Sequence, residues 1–505
     1  MSQAALSTAP GVAAPANWAA ETARPRLRAL ALRGAAWTLA GYGLSQVLRL
    51  GGNLVLARLL FPDAFGLMAL VFMVLQGLQM FSDVGIAPSI VQNRRGEDAA
   101  FLKTAWTIQA VRGLVLCLAC AALAPLVAQF YGQPALNLLL SIAGLTALLA
   151  GFESTAIPLA NRRMAVRSLT VLELGAQILS LAVMVIWAWQ APSVWPLLGG
   201  ALVYSAVRLT GSFFVLPNVP VGLRWDRTAA RELFHFGRWV FVSTLLTFLV
   251  TQGDRMLFGK LLSLSELGVY SIAAMLALLP KQIVTRIEGA VLFPTYSAVV
   301  QQGRELGPTF TRVRRPVAVG MGLITAILLA AGPHLVAVLY DPRYQDAGWM
   351  LQLIAAGVVL QALESINGAA LLAAGNARAV AAGSAVKLAG MIALVPIGWH
   401  FGGMVGALVG FLLAEFGKYL VSAGLVRRLG LRVLSRDLPL IVAVLATGGF
   451  GWAVARVCSA RWPLGEPALV MVATLGAALW WIPQVGVVVR ELRHASPRDP
   501  APVNS

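Results

Sequence analysis

Between residues 34 and 489 the chain alternates apolar stretches of roughly 20 residues with short polar breaks, the length a helix needs to cross a bilayer. About fourteen such stretches can be drawn, the first two at 34–60 and 65–90 around a tight Phe61-Pro62-Asp63 turn. Breaks of one set are brief and nearly neutral, as in Tyr131-Gly132-Gln133-Pro134, Gln190-Ala191-Pro192-Ser193 and Asp341-Pro342-Arg343-Tyr344. The alternate breaks are longer and basic, as in Arg224-Trp225-Asp226-Arg227 and Arg312-Val313-Arg314-Arg315. Within the apolar stretches Pro88, Pro125, Pro158, Pro280, Pro294, Pro333 and Pro396 remove backbone donors and kink the helices they interrupt. Gly402, Gly406 and Gly410 form a small-residue face suited to close helix packing.

A weak internal repeat sets the expected architecture. Trp37 matches Trp239, Arg58 matches Lys260, Leu59-Leu60 match Leu261-Leu262 and Gly66 matches Gly268, all at one constant separation. Farther on, LVAQFY ending at Tyr131 pairs with LVAVLY ending at Tyr340, and Glu153-Ser154 with Glu364-Ser365, at slightly larger separations. Each repeat holds six spans. An even number returns the chain to the same side, so the halves share one orientation and are related by a pseudo-two-fold axis along the membrane normal. The predicted fold is therefore an all-α polytopic membrane protein. It has a disordered tail at 1–32, an N-lobe at 33–218, a C-lobe at 219–430, a C-terminal helix pair at 431–490 and a second tail at 491–505.

Composition agrees. Hydrophobic residues make up 58% of the chain and charged residues 12%, with mean hydropathy +0.77, whereas soluble domains carry about 25% charged residues. The net charge of +18 changes meaning once placed: most of the 39 Lys and Arg fall in the first tail and every second loop, and the intervening loops hold Arg58, Lys260, Arg343, Arg456 and Arg461. That is the positive-inside bias. It predicts both termini in the cytoplasm and attraction to anionic membrane lipids, not nucleic-acid binding. Residues 1–32 lack the apolar region of a signal peptide. Cys117, Cys120 and Cys458 provide no disulfide framework, and Cys117-Leu-Ala-Cys120, inside a span, reads as apolar filling. No nucleotide motif occurs, and His235, His334, His400 and His494 are scattered, so neither a cofactor, a metal nor a catalytic function is expected.

Candidate chemistry lies in charges at nominal membrane depth: Arg49, Arg112, Arg208, Arg255, Lys281, Arg286, Lys387 and Lys418 against Asp83, Glu153, Glu173, Asp254, Glu288, Glu364 and Glu415. Against lipid they are prohibitive, so they face an aqueous cavity or pair internally. Glu415 and Lys418, three apart on one helix face, are expected to neutralise each other. Arg208, Lys387 and Glu173 sit near span ends, where long side chains snorkel. Asp83, beside Gly85, suits helix-end capping. Asp254-Arg255 suits either a gate or a fixed pair. Arg49, Arg112, Lys281 and Arg286 lack an acid on their own helix face and are expected in a cavity. Guanidinium groups match phosphate oxygens, and buried carboxylates suit proton or sodium coupling.

The stretches LARLLFPDAFGLMALV, FSDVG and SIVQ within 56–92, with the echo DRMLFGKLLSLSELGVYSIA at 254–273, resemble Wzx-type polysaccharide flippases of the multidrug/oligosaccharidyl-lipid/polysaccharide superfamily. FESTAIPLANRRMAVRSL at 152–169 and VLYDPRYQDAGWMLQLIA at 338–355 carry the same likeness. The resemblance implies two six-helix lobes around a cationic cavity in a bacterial inner membrane. It implies transfer of an undecaprenyl-diphosphate-linked oligosaccharide from the cytoplasmic to the periplasmic leaflet by alternating access. It places Arg49, Asn53, Arg112, Arg255, Lys281 and Arg286 as candidates for the diphosphate or sugars, and Asp83, Glu153, Asp254 and Glu364 as candidates for coupling to H+ or Na+ or for gating. A polysaccharide polymerase or export complex is an implied partner. The helix pair after 437 resembles the fourteen-span lipid II flippases of the superfamily. Three other readings stand beside this: a drug or cation antiporter of the superfamily, a polymerase or ligase, and a non-transporting scaffold of an assembly complex.

Overall fold

The computed structural model describes residues 18–494 except Val84, Arg94, Met164, Pro217 and Asn218, and side chains for Trp37, Ala40 and residues 41–490 apart from those five and 228–243. All regular structure among the described residues is helical. The N-lobe comprises α1 (Trp18–Leu59), α2 (Pro62–Phe81), α3 (Ile86–Gln92), α4 (Ala99–Tyr131), α5 (Ala135–Gly151), α6 (Ala156–Arg162), α7 (Val166–Gln190) and α8 (Trp195–Phe214). The C-lobe follows with α9 (Arg227–Leu261), α10 (Leu264–Ala277), α11 (Leu279–Ile287), a π-helical turn at Glu288–Leu292, α12 (Phe293–Gln301), α13 (Leu306–Leu339), α14 (Ala347–Ala373) and α15 (Ala377–Arg427). The appended helices are α16 (Leu434–Arg461), α17 (Glu466–Ala478) and α18 (Trp481–His494).

Among the described residues nine helices are long and apolar enough to cross a membrane, with the continuous run Leu279–Gln301 counted as one, and eleven spans result when the bent pairs α5–α6 and α17–α18 each count once. α15 folds back on itself: Gly402 and Gly403 leave helical geometry, Gly403 at φ 54°, a value that favours glycine. Its arms then touch backbone to backbone, since a Cβ on Gly398 would strike the Gly406 carbonyl and one on Gly410 the Leu394 carbonyl. Counting those arms separately and adding the long helices α1 and α9 gives the fourteen passages that hydropathy predicts. Two expectations change. The span drawn at 65–90 breaks after Phe81, where the Asp83 carboxylate accepts the Gly85 N–H at 2.9 Å and turns the chain into α3. The tail drawn at 1–32 is helical from Trp18; the rest of it and residues 495–505 of the second tail lie outside the described residues.

Helix starts follow local chemistry. Proline opens α2 at its first position, where no intrahelical donor is lost. Ser263 and Glu266 form a reciprocal capping box that starts α10, and Asp98 accepts the Ala100 N–H at the start of α4.

The lobes meet across α2 and α10. A Cβ on Gly66 would collide with the Leu264 carbonyl, and one on Gly268 with the Pro62 carbonyl. Gly66 and Gly268 are repeat partners, and so are Pro62 and Leu264, so the contact is the same on both sides of the pseudo-two-fold. Only glycine permits this approach, and in a membrane such close backbone packing is a main source of helix association. The appended helices attach to the C-lobe through α13: the fully buried Trp481 ring lies where a side chain on Gly322 would project, and its Nε1–H donates to Thr447 Oγ1 at 3.1 Å.

Candidate functional site

Arg49 lies ten residues before the end of α1, roughly 15 Å along a helix and therefore about halfway through a hydrocarbon core of roughly 30 Å. Tyr42, Gln46 and Arg49 follow the helical repeat on one face of α1, and Gln282 and Arg286 do so on α11. The two faces interlock across the lobe seam. Gln282 Oε1 accepts from Gln46 Nε2 and from Arg49 Nη2, both at 2.8 Å. Gln46 Nε2 also reaches the Tyr42 hydroxyl at 2.8 Å, and the Arg286 guanidinium lies 4.7 Å from the Tyr42 ring centroid. Both arginines are exposed. Exposed guanidinium groups at such a depth favour water over lipid, which is the behaviour expected of a cavity-lining seam.

Behind the seam each lobe holds an ion pair at an equivalent place. In the N-lobe Arg208 on α8 reaches Glu153 Oε2, beside the α5–α6 bend, and Glu173 Oε1 on α7, each at 3.2 Å. The Tyr204 hydroxyl donates to Glu173 at 2.7 Å. In the C-lobe Lys418 on the second arm of α15 reaches Glu364 on α14 at 2.9 Å, and Lys387 on the first arm pairs with Glu415. Lys281 donates to Gln361 at 2.5 Å and Ser365 donates to Glu288 in the π-helical turn. Glu153 and Glu364 are repeat partners. Their cations, Arg208 and Lys418, lie at nearly the same separation.

The end of the bundle opposite the basic loops is held shut by paired contacts between lobes. Arg58 Nη2 donates to the Leu339 carbonyl in the last residue of α13 at 3.5 Å, and its repeat partner Lys260 donates to the Phe130 carbonyl near the end of α4 at 2.6 Å. Both cations therefore satisfy carbonyls that a helix C-terminus leaves unpaired. On the Arg58 side Tyr340 donates to Asn53 Oδ1 at 3.1 Å, Tyr344 to the Leu60 carbonyl at 3.4 Å, and Arg343 Nη2 to the Arg58 carbonyl at 3.3 Å while its guanidinium stacks 5.1 Å from the Phe61 ring. Asp341 orients Arg343 by accepting from its Nε at 2.9 Å, and that bond holds the carboxyl below the usual carboxylate range. At the basic end, the Glu97 carboxyl is likewise held low by its hydrogen bond from Arg163 at 2.7 Å.

The site residues chosen from sequence thus separate into groups. Arg49 and Arg286 come together. Asn53 is drawn into the outer contact. Lys281 sits in the C-lobe polar layer with Glu364. Arg112 is used at the end of α2, donating to Ser82 Oγ at 2.8 Å and the Gln79 carbonyl at 2.6 Å with Asp83 at 3.8 Å. Asp254 and Arg255, adjacent in sequence, take different partners: Tyr270 donates to Asp254 at 2.6 Å, while Arg255 donates to Gln252, which bridges to Gln76 of the N-lobe at 2.7 Å. Glu415 and Lys418 do not neutralise each other. Each faces a different neighbouring helix and pairs there. Arg208 and Lys387 bond inward instead of snorkelling, because carboxylates wait within reach. Sequence reasoning overlooked Gln282, the acceptor shared across the seam. Its spacing from Arg286, one helical turn, was the available signal.

The profile of a family described as polysaccharide biosynthesis protein matches residues 55–345. The chain is 23% identical over 403 residues to the lipopolysaccharide biosynthesis protein WzxC of Escherichia coli (strain K12), covering 78% of this chain and 80% of that one. It is 29% identical over 278 residues to the succinoglycan biosynthesis transport protein ExoT of Rhizobium meliloti (strain 1021), covering 55% and 54%. Among solved structures, the lipid II flippase MurJ in an inward closed conformation superposes with TM-score 0.72 at 11% identity over 91% of this chain and 100% of that one. An inward-facing multidrug resistance MATE family transporter of the MOP superfamily superposes with TM-score 0.61 at 12% identity, covering 76% and 95%. These likenesses establish a common fold.

Proposed function

The chain belongs to the polysaccharide biosynthesis protein family, and from that membership we propose that it is a flippase for an oligosaccharide carried on a prenyl diphosphate, in the manner of undecaprenyl diphosphate. The observation that carries this reading is the meeting of Arg49 and Arg286, one from each lobe, around Gln282 at membrane depth. Two guanidinium groups from different lobes suit a diphosphate: its oxygens accept paired N–H donors, and binding them draws the lobes together. The prenyl tail stays in lipid while the charged group and sugars pass through the seam. With the basic end in the cytoplasm, as the positive-inside bias directs, the paired contacts at Arg58 and Lys260 close the periplasmic end, and the substrate enters from the cytoplasmic leaflet of a bacterial inner membrane.

Coupling is assigned to the C-lobe. Glu364, Glu415 and Glu288 lie beside Lys418, Lys387 and Lys281 in one polar layer, and such a concentration of acidic and ammonium groups within the spans suits the passage of a coupling ion. Asp254, next to this layer and bonded to Tyr270, serves as its gate toward the N-lobe.

Reconstituted protein supplied with a fluorescently labelled lipid-linked oligosaccharide tests the proposal. The doubly substituted Arg49→Ala/Arg286→Ala protein is expected to flip at least ~10-fold more slowly, equivalent to ~1.4 kcal/mol of lost transition-state binding. Flipping at the parent rate overturns the assignment of the seam.

A further inference from the structure

A cavity of about 700 Å³ opens between the first turns of α13 and α16, at the basic end of the bundle, and none of its lining residues belongs to α1 or α11. We propose that it is a phosphate-anion site that takes the headgroup of an anionic phospholipid and staples the appended helices to the C-lobe.

The floor is a closed unit of charge. Arg314 donates from Nη1 to Asp437 Oδ1 at 2.5 Å and from Nη2 to Oδ2 at 2.6 Å, and Tyr419 adds a third bond to Oδ2 at 2.7 Å. Asp437, the sole acid among the lining residues, is thereby spent. Arg314 is only 6% exposed and lines a cavity large enough for a ligand, and its Nε–H is buried without an acceptor. Around the mouth stand Arg315, Arg432 and Arg436, all exposed. Arg436 is oriented by its bond to Thr311 Oγ1 at 3.0 Å, and Arg432 makes no side-chain hydrogen bond among the described residues. Four guanidinium groups against one carboxylate give the lining a net positive charge in a concave site, and planar forks of donors match phosphate oxygens.

The remaining walls choose the source of the phosphate. Leu431, Val433 and Leu440 make one side apolar, and Leu434, Leu438 and Val442 continue that surface along the outside of α16 as exposed aliphatic side chains. A soluble anion uses none of this. A lipid places its phosphate among the arginines and its acyl chains along α16. Because Arg314 and Arg315 stand on α13 while Arg432 and Arg436 stand at α16, a phosphate held by both sets bridges the C-lobe to the appendage.

The test uses the full chain purified in detergent with the exposed pair replaced, Arg432→Gln/Arg436→Gln, which leaves the Arg314–Asp437 floor intact. Native mass spectrometry after incubation with phosphatidylglycerol or phosphatidylcholine reads retained lipid, and the thermal transition reads attachment of the appendage. The parent is expected to retain phosphatidylglycerol at least ~10-fold over phosphatidylcholine and to melt higher with it, and the variant is expected to lose both differences. Equal retention by parent and variant overturns the site. Raised melting by millimolar inorganic phosphate or pyrophosphate, with displacement of phosphatidylglycerol, overturns the lipid source and assigns the cavity to a soluble anion. Neither outcome depends on flipping, so this proposal and the function of the α1–α11 seam fail separately.

Discussion

The pairs Glu153–Arg208 and Glu364–Lys418 occupy equivalent places in the two lobes but are built to do different things. In the N-lobe one guanidinium serves two carboxylates on different helices, with Tyr204 closing the cluster. A planar fork of donors suits that bridging, and its charge is permanent. In the C-lobe each lysine has its own carboxylate, and the pairs are set in a layer with Lys281, Gln361, Glu288 and Ser365. The internal repeat has kept the position of the pair while its partners diverged: one arginine bridging two carboxylates in one lobe, separate lysine–carboxylate pairs in the other. Depth differs too. Lys387 and Glu415 have side-chain exposures of 6% and 2%, whereas Arg208 retains 23%.

The largest expected effect comes from breaking the more deeply buried pair. Lys387→Met leaves Glu415 charged and unpaired, at a cost of about 3–5 kcal/mol, seen as a lowered thermal transition in detergent. Arg208→Met is expected to cost less, since water reaches its site. Restoring neutrality with Lys387→Met/Glu415→Leu is expected to recover most of the loss. Equal losses from Lys387→Met and Arg208→Met break the distinction between the lobes.

The asymmetry explains what was legible in the sequence. The helical passages and the repeat were readable because they depend on hydropathy and on residues such as Gly66 and Gly268, whose absence of a side chain has a direct packing consequence. Placing Glu153 opposite Glu364 was readable for the same reason. Partners were not. Glu415 and Lys418 looked self-sufficient by local spacing, yet the choice among Glu364, Lys387 and each other depends on which helices flank the second arm of α15. Arg112 looked unpaired because Ser82, Asp83 and the Gln79 carbonyl lie on a different helix, at a break that hydropathy smoothed over. The Arg314–Asp437–Tyr419 unit was missed because its members come from three separate passages.

A smaller effect is expected at the outer contact, where the lobes are more alike. Arg58 and Lys260 are both exposed, and each holds one carbonyl of the opposite lobe. Exposed charge-assisted contacts contribute little, so Arg58→Ala and Lys260→Ala are each expected to raise the outward-open population by about two- to fivefold. Distances between spin labels at Gln133 and Gln345 report the shift. A response to one substitution and not the other removes the pseudo-symmetric closure.

The smallest effect separates the halves of that closure by pH. Lys260 meets a backbone carbonyl and gains no carboxylate helper, whereas Arg343 on the other side is aimed by Asp341. The hydrogen bond from Arg343 lowers the Asp341 pKa, so its stabilisation is complete above the ordinary Asp value of about 3.9 and is lost as pH falls through the depressed value. Protonation then frees Arg343 from the orientation that places it over Phe61 and against the Arg58 carbonyl. Opening measured with the same labels is therefore expected to be flat from pH 7 to about 4 and to rise slightly below that, with Asp341→Asn shifted at every pH and insensitive to acid. Lys260→Ala is expected to keep the acid response, because its half of the contact carries no titrating group in that range. Loss of the response in Lys260→Ala would mean that the two halves open as one unit, and that the difference in their chemistry has no mechanical consequence.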